Sequence, residues 1–195
     1  MPSFSSTTSD RRRLRQHFRE IRRAGLTEDR QTAINRVIHD WLRASRFDCA
    51  GIYAPTAGEP DIRPVIFDAV RSGWVGAAAF PVVDDVKGRR MHYEKVTAAT
   101  PMQPGAFGIL EPAGGIPAVP DVIFAPCVAV TPTGFRLGNG GGFFDVWLAE
   151  QAEKAVTTIA VAVESVVTTD WVPLPHDRPF QWLATENGVR RAGSL

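Results

Sequence analysis

The stretch Thr133-Gly-Phe-Arg136-Leu-Gly138-Asn139-Gly140-Gly141-Gly142-Phe143-Phe144-Asp145 concentrates residue types that suit phosphate chemistry. Glycine lacks Cβ, so a backbone through Gly138, Gly140, Gly141 and Gly142 can take positive φ and turn several N–H groups toward one anion. Arg136 adds a planar, forked cation, and Asp145 stands where a magnesium ligand is wanted. Apolar runs on both sides make the segment a strand-loop-helix unit with the helix N-terminus facing the anion. The same composition also suits a turn-rich connector, because glycine clusters commonly mark loops. Neither of the commoner phosphate motifs fits. From Gly138 a dinucleotide fingerprint needs glycine where Phe143 stands, and a Walker loop needs a lysine that the stretch lacks.

The elements that position this loop follow from hydrophobic periodicity. Ser9 and Asp10 can cap a helix in which Leu14, Phe18 and Ile21 recur at spacings of four and three, with Gly25 as its stop. Seven arginines fall between Arg11 and Arg23. Of these Arg11, Arg15, Arg19 and Arg22 form one cationic stripe, which is either a solvated face or the border of the anion site. A second helix starts near Thr27, with Glu28 and Asp29 in its first turn, and buries Ile34, Val37, Ile38, Trp41 and Leu42.

Residues 49–53 read as a short buried strand, and Pro60 as the opener of a helix through Val65, Ile66, Ala69 and Val70 to Gly73. Strands are expected at 75–80, closed by Pro81, at 91–96 after a charged turn, and at 121–125 and 157–163. The Pro- and Gly-rich segment 101–120 reads as an irregular loop, and 143–155 as a helix. This alternation predicts an α/β fold, a three-layer sandwich with a mainly parallel sheet flanked by helices, forming a single domain over 10–190. Ligands in such sheets sit beyond the carboxyl ends of the strands, where the glycine loop falls. Residues 1–9 and 190–195 are expected to be tails.

With 44% hydrophobic residues the chain supports a substantial core, and its net charge of +1 gives no general reason to expect a nucleic acid partner. No run approaches the roughly 20 apolar residues of a membrane span. The first residues lack the basic and apolar regions of a secretory signal, so a cytoplasmic protein is expected, with no membrane partner. Cys49 and Cys127 sit in apolar contexts that suit buried thiols in a reducing compartment, not nucleophiles.

The Arg-Leu-Gly-x-Gly-Gly-Gly-aromatic-aromatic-Asp string resembles the signature of the 5-formyltetrahydrofolate cyclo-ligase family, also called methenyltetrahydrofolate synthetase. Arg11-Arg-Arg-Leu14-Arg15 is similar to that family's N-terminal Lys-x-x-Leu-Arg. Tyr53-Ala-Pro55 with Glu59-Pro60-Asp61 is similar to its Tyr-x-Pro and Glu-x-Asp, and Pro81 and Met91 match further positions. Phe107-Gly108-Ile-Leu-Glu111-Pro112, Asp121 with Pro126, His176-Asp177 and Thr185-Glu186 complete an ordered series.

The resemblance implies ATP- and Mg²⁺-dependent conversion of 5-formyltetrahydrofolate to 5,10-methenyltetrahydrofolate, with ADP and phosphate released. It implies catalytic roles for Arg136 and Asp145, with Asp145 on the metal. It places ATP against Arg11, Arg15, Arg136, Gly138, Asn139, Gly140, Gly141, Gly142, Phe143 and Phe144, and substrate against Tyr53, Glu59 and Met91. From the residues alone, Glu59 reads equally as a carboxylate at a helix start, and Tyr53 and Met91 as core. A monomer acting on these small molecules is expected.

The chain departs from the family pattern at four places. Arg11 stands for the usual lysine, Val146 for the arginine usual after Tyr-Asp, Thr131 for a frequent Asp and Val166 for a frequent Gln. A catalytically altered paralogue that binds nucleotide or folate is therefore the alternative reading. A nucleic-acid binder using the arginine helix, or a sugar-phosphate isomerase on a similar scaffold, are further readings of the same residues.

Overall fold

A computed structural model describes residues 8–174 and 177–193. Helix α1 (Thr8–Gly25) begins inside the expected tail, and residues 1–7 of that tail lie outside the described residues. Its apolar stripe buries Leu14 and Phe18. Gly25 does more than stop it, since a Cβ there would come within 2.5 Å of Ser165 Oγ, where α1 meets the 3-10 turn Glu164–Val166. Helix α2 (Glu28–Arg43) is capped by Thr27, whose side chain accepts the Arg30 N–H, and it buries Ile34, Ile38 and Leu42.

In chain order there follow β1 (Ala50–Gly51), α3 (Arg63–Arg71), β2 (Ala78–Asp85), β3 (Arg90–Val96), β4 (Met102–Pro104), β5 (Leu110–Pro112), β6 (Ile116–Ala118) and β7 (Val122–Pro126). Then come β8 (Ala129–Val130), β9 (Arg136–Leu137), α4 (Phe143–Glu150), β10 (Thr157–Val161), β11 (Trp182–Thr185) and β12 (Gly188–Arg191). An eight-stranded sheet runs β12-β11-β10-β7-β1-β2-β3-β6. Strands β11, β10, β7, β1 and β2 are parallel, and β12, β3 and β6 pair antiparallel at the margins. The central strands are covered on both faces, which explains their unbroken apolar runs.

Register separates the two helix layers. Ala78, Ala50 and Val122 are aligned neighbours, so Phe124, two residues on, points to their face, while Tyr93, opposite Pro81, points to the other. Phe124 meets Trp41 of α2 edge-on at 6.5 Å, and Tyr93 meets Trp147 of α4 at 5.1 Å. Helices α2 and α4 therefore cover opposite faces, giving the expected α/β sandwich. Gly51 lies beneath Tyr93, whose ring would be 2.8 Å from a Cβ at that position.

Several expectations need correction. The helix expected from Pro60 begins at Arg63, with Pro64 in its first turn. Strand β2 does not close at Pro81 but runs on to Asp85. On its β1 side, β2 is paired only at Ala78 and Ala79, so the missing proline N–H falls on a side of β2 that has become edge-like. The strand expected at 49–53 keeps only two paired residues, although the Ile52 N–H still reaches Ala79 O at 2.8 Å.

The segment 101–120 is no irregular loop: it holds β4, β5, a 3-10 turn (Ala106–Gly108) and β6. Helix α4 stops at Glu150, not near 155, because the chain must turn to let the Thr157 N–H bond Asp121 O at 2.8 Å and set β10 beside β7. Arg190 and Arg191, expected in a tail, belong to β12 and pair with Leu183 and Trp182. Among the described residues no helix is long and apolar enough to cross a membrane.

Candidate active site

The glycine loop grows out of the β8–β9 hairpin and ends in α4. Thr131 Oγ1 accepts the Phe135 N–H at 3.0 Å and closes the hairpin turn that presents Arg136. The backbone then passes through Gly140 at φ +107° and Gly142 at φ +73°, left-handed values that favour glycine. Gly142 is the N-cap of α4, so the first-turn amides and Asp145 face the loop. A cation stands on each flank: a Cβ at Gly140 would touch the Arg15 guanidinium at 3.4 Å, and one at Gly142 would touch Arg89 at 3.4 Å.

Arg136 is not the solvent-facing cation its sequence context suggests. Its side chain is 6% exposed and lies between the rings of Phe144 and Phe180, with Cζ 5.2 and 4.8 Å from their centroids. Its Nη2 donates to Asp145 Oδ1 at 2.6 Å. The geometry is that of a cation stacked on aromatic faces and clamping a carboxylate. Asp145 remains partly exposed at the loop.

The arginine stripe of α1 does not face bulk water along its length. Arg15 Nε donates to Gly138 O at 3.0 Å, and Arg19 reaches Asn139 Oδ1 at 3.1 Å. Arg22 is only 2% exposed, and its Nη1 donates to Glu59 Oε1 at 3.2 Å and to Cys127 O at 3.0 Å. Arg11, at the other end, pairs with Asp177 at 3.0 Å and lies over the Trp171 ring. Burial, and then the like charges of Arg11 and Arg19, weaken the hold of Arg15 on its proton. An anion at the loop would relieve that crowding.

Glu59 lies ahead of α3, not in its first turn, so the helix-start reading is replaced. It is 6% exposed; Oε2 accepts the Thr56 N–H at 2.8 Å, and Oε1 accepts from both Arg22 and Asn139. Tyr53 beneath it is buried, and its hydroxyl donates to Pro60 O at 2.6 Å, holding the segment that presents Glu59. Burial is also the main cause that pushes the Tyr53 hydroxyl pKa well up.

A family model described as the 5-formyltetrahydrofolate cyclo-ligase family matches residues 7–186. The chain belongs to that family. A Haemophilus influenzae protein named 5-formyltetrahydrofolate cyclo-ligase is 38% identical over 86 residues, a match that covers 38% of this chain and 46% of that relative. The chain thus spans less than half the length of this curated relative in the match. The 5,10-methenyltetrahydrofolate synthetase structure from Aquifex aeolicus superposes with a TM-score of 0.75 at 26% identity, covering 95% of this chain and 94% of that one. A synthetase structure from Mycoplasma pneumoniae shares the fold, with TM-score 0.68 and 20% identity over 91% of this chain and 99% of that one.

In this member of the cyclo-ligase family, the fold gathers Arg15, Arg136, Glu59, Asn139, the loop glycines and Asp145. Arg11 lies at the far end of the arginine row, and Met91 is buried in β3 opposite Val83. His176 lies outside the described residues. Cys49 and Cys127 are pushed up to about 11 and about 12 by burial, which keeps both thiols protonated and inert at neutral pH.

Sequence reasoning missed Arg89, which reaches the loop from the β2–β3 turn at φ +58°, and it named Phe107 only within the family series, without the contact its ring makes with Phe143 at 6.0 Å. Only the basic run Lys87-Gly-Arg-Arg90 hinted at the first. Of the departures from the family pattern, Val166 is fully buried in the 164–166 turn, next to the Val130–Val167 bridge that adjoins Thr131, and Val146 is half-buried in α4.

The residues fit a magnesium-nucleotide group. Magnesium commonly takes one or two protein carboxylates and completes its shell with substrate phosphates and water. Asp145 supplies one carboxylate at the mouth of the loop, and no group of three or more acidic, His or Cys side chains gathers into a cage among the described residues.

Proposed function

We propose that the protein catalyses ATP-driven closure of 5-formyltetrahydrofolate to 5,10-methenyltetrahydrofolate, with ADP and phosphate released. The observation that carries this reading is the convergence of the α1 arginines on a glycine loop whose helix presents a carboxylate clamped by Arg136. Phosphoryl transfer requires positioning and charge neutralisation more than a covalent nucleophile. The loop amides at Gly140 to Gly142, together with Arg15 and Arg89, would cradle the phosphate chain of ATP. Magnesium held by Asp145 would neutralise charge on the transferred phosphoryl group.

The formyl oxygen of the substrate attacks the γ-phosphorus and ADP leaves. N10 then attacks the activated formyl carbon, the C–O bond breaks to release phosphate as the ring closes, and the N10 proton leaves with the phosphate. Glu59, fixed on three sides, would orient the reduced pterin so that its formyl oxygen meets the γ-phosphate. Arg136 would keep Asp145 aimed at the loop through both steps. Tyr53 and Met91 would contribute the apolar floor under the pterin. The buried, protonated thiols of Cys49 and Cys127 take no part.

Purified protein mixed with 5-formyltetrahydrofolate and MgATP should develop the absorbance of the methenyl product. No signal at high protein concentration, with nucleotide binding intact, would instead support the altered paralogue.

A further inference from the structure

Asn139 is the one loop side chain that touches both halves of this site. Its Oδ1 accepts from Arg19 Nε and Nη2 at 3.4 and 3.1 Å, and its Nδ2 donates to Glu59 Oε1 at 3.3 Å. The amide orientation follows from chemistry, since a guanidinium can only donate and an ionised carboxylate can only accept. Glu59 Oε1 also receives Arg22, and Gly138, one residue before Asn139, offers its carbonyl to Arg15. A continuous row, Arg19 to Asn139 to Glu59 to Arg22, therefore ties the backbone of the glycine loop to a buried carboxylate on another segment.

We propose that Asn139 is a positioning residue that couples the glycine loop to Glu59, so that nucleotide and reduced folate each strengthen binding of the other. This rests on the cyclo-ligase reading of the two half-sites. The loop backbone is glycine-rich and costs conformational entropy to fix. Whichever ligand arrives first fixes Asn139 and Glu59 together, and the second ligand meets a site already ordered. The coupling is reciprocal by thermodynamic necessity.

Asn139 is an exposed residue, so its replacement leaves the core untouched. The experiment titrates a non-hydrolysable MgATP analogue with and without saturating 5-formyltetrahydrofolate, then repeats it in the reverse order. The unsubstituted protein should show each ligand tightening the other by about 5-fold or more, within the usual range of site coupling. In Asn139→Ala that factor should fall to within about twofold of unity, whatever becomes of the separate affinities.

Asn139→Asp keeps an acceptor for Arg19 but sets a second carboxylate against Glu59. It should lose the coupling and weaken folate binding further. A coupling factor in Asn139→Ala equal to that of the unsubstituted protein overturns the proposal, as does an unsubstituted protein that binds both ligands independently. Failure of the unsubstituted protein to bind either ligand overturns the cyclo-ligase reading itself and the coupling with it.

Discussion

Two aromatic-rich regions on the molecule look alike in composition and differ in what they can do. Beside α2, Trp41, Phe47 and Trp182 line a hollow of about 390 Å³ together with Thr157, Gln181 and Arg191. At the glycine loop, Phe143, Phe144, Phe107 and Phe180 surround a chain of charged side chains instead. In the first, the rings pack on each other, Trp41 against Phe47 at 5.4 Å and against Trp182 at 5.6 Å. In the second, two of the rings hold an arginine that holds a carboxylate. Under the proposed function, empty volume and phosphate chemistry fall in different regions. Backbone amides and paired charges suited to a phosphate need enclose little empty volume, whereas large rings that interdigitate incompletely leave space between them.

That contrast can be broken most directly at Asp145. Asp145→Asn keeps an oxygen for Arg136 but removes the charge, and turnover should fall by roughly 10²- to 10³-fold. The methenyl absorbance assay reads the loss, and an unchanged rate would remove Asp145 from the chemistry. Arg136→Ala should also abolish turnover, but with a further consequence that its burial dictates. It empties a stacked site and strips Asp145 of its partner, costing about 2–4 kcal/mol of stability, visible as an earlier denaturant midpoint. Intact stability in that variant would mean that the clamp is dispensable.

In the other region, Trp182→Ala should lower stability by about 2 kcal/mol while both KM values stay within about twofold of their original values. A large KM change would turn the hollow into a ligand site. The smallest effect is expected at Glu164, near the junction of α1 with the β11–β12 edge. Burial pushes its carboxyl up from the ordinary 4.5, but hydrogen bonds from Arg190 and Thr185 and the Arg190 charge outweigh it, and the net shift is downward. A depressed native value means that the stabilisation is complete above the unfolded value and fades as pH drops through the native one. Glu164→Gln should therefore lower the melting temperature slightly at pH 7 and converge with the unsubstituted protein well below pH 4.5.

The sequence disclosed what depends on local pattern. The apolar stripes of α1 and α2, the start of α2 near Thr27, the strand-loop-helix around the glycines and the buried runs of β7 and β10 all carry their own pattern, whereas Ser9 and Asp10, expected to cap α1, lie inside a helix that already begins at Thr8. The small strands β4, β5 and β6 carry none, because each is three residues long with a proline among them and only pairing to neighbours makes them strands. Strand β12 hid behind Arg190 and Arg191, which read as a polar tail until β11 supplies the ladder.

In the site, residue types identified Arg136, Asp145 and the glycines. They could not show that Arg136 is stacked under Phe180, or that Arg22 leaves the stripe to meet Glu59, since both depend on segments far away in sequence. Arg89 was invisible for the same reason: only the β2–β3 turn brings it to Gly142.

The arginine row on α1 also sets the order in which the site can come into being. The row is made first, yet Gly138 and Asn139 lie 123 and 120 residues beyond Arg15 and Arg19, and Asp177 lies 166 beyond Arg11. At a synthesis rate of roughly 5–20 residues per second, a strongly basic helix waits several seconds with its partners unmade. A chain released before the glycine loop emerges would hold Glu59 for Arg22 but no loop for Arg15 and Arg19, and cationic side chains without partners attract polyanions in general. Emergence of the glycine loop is thus what gives Arg15 and Arg19 their partners.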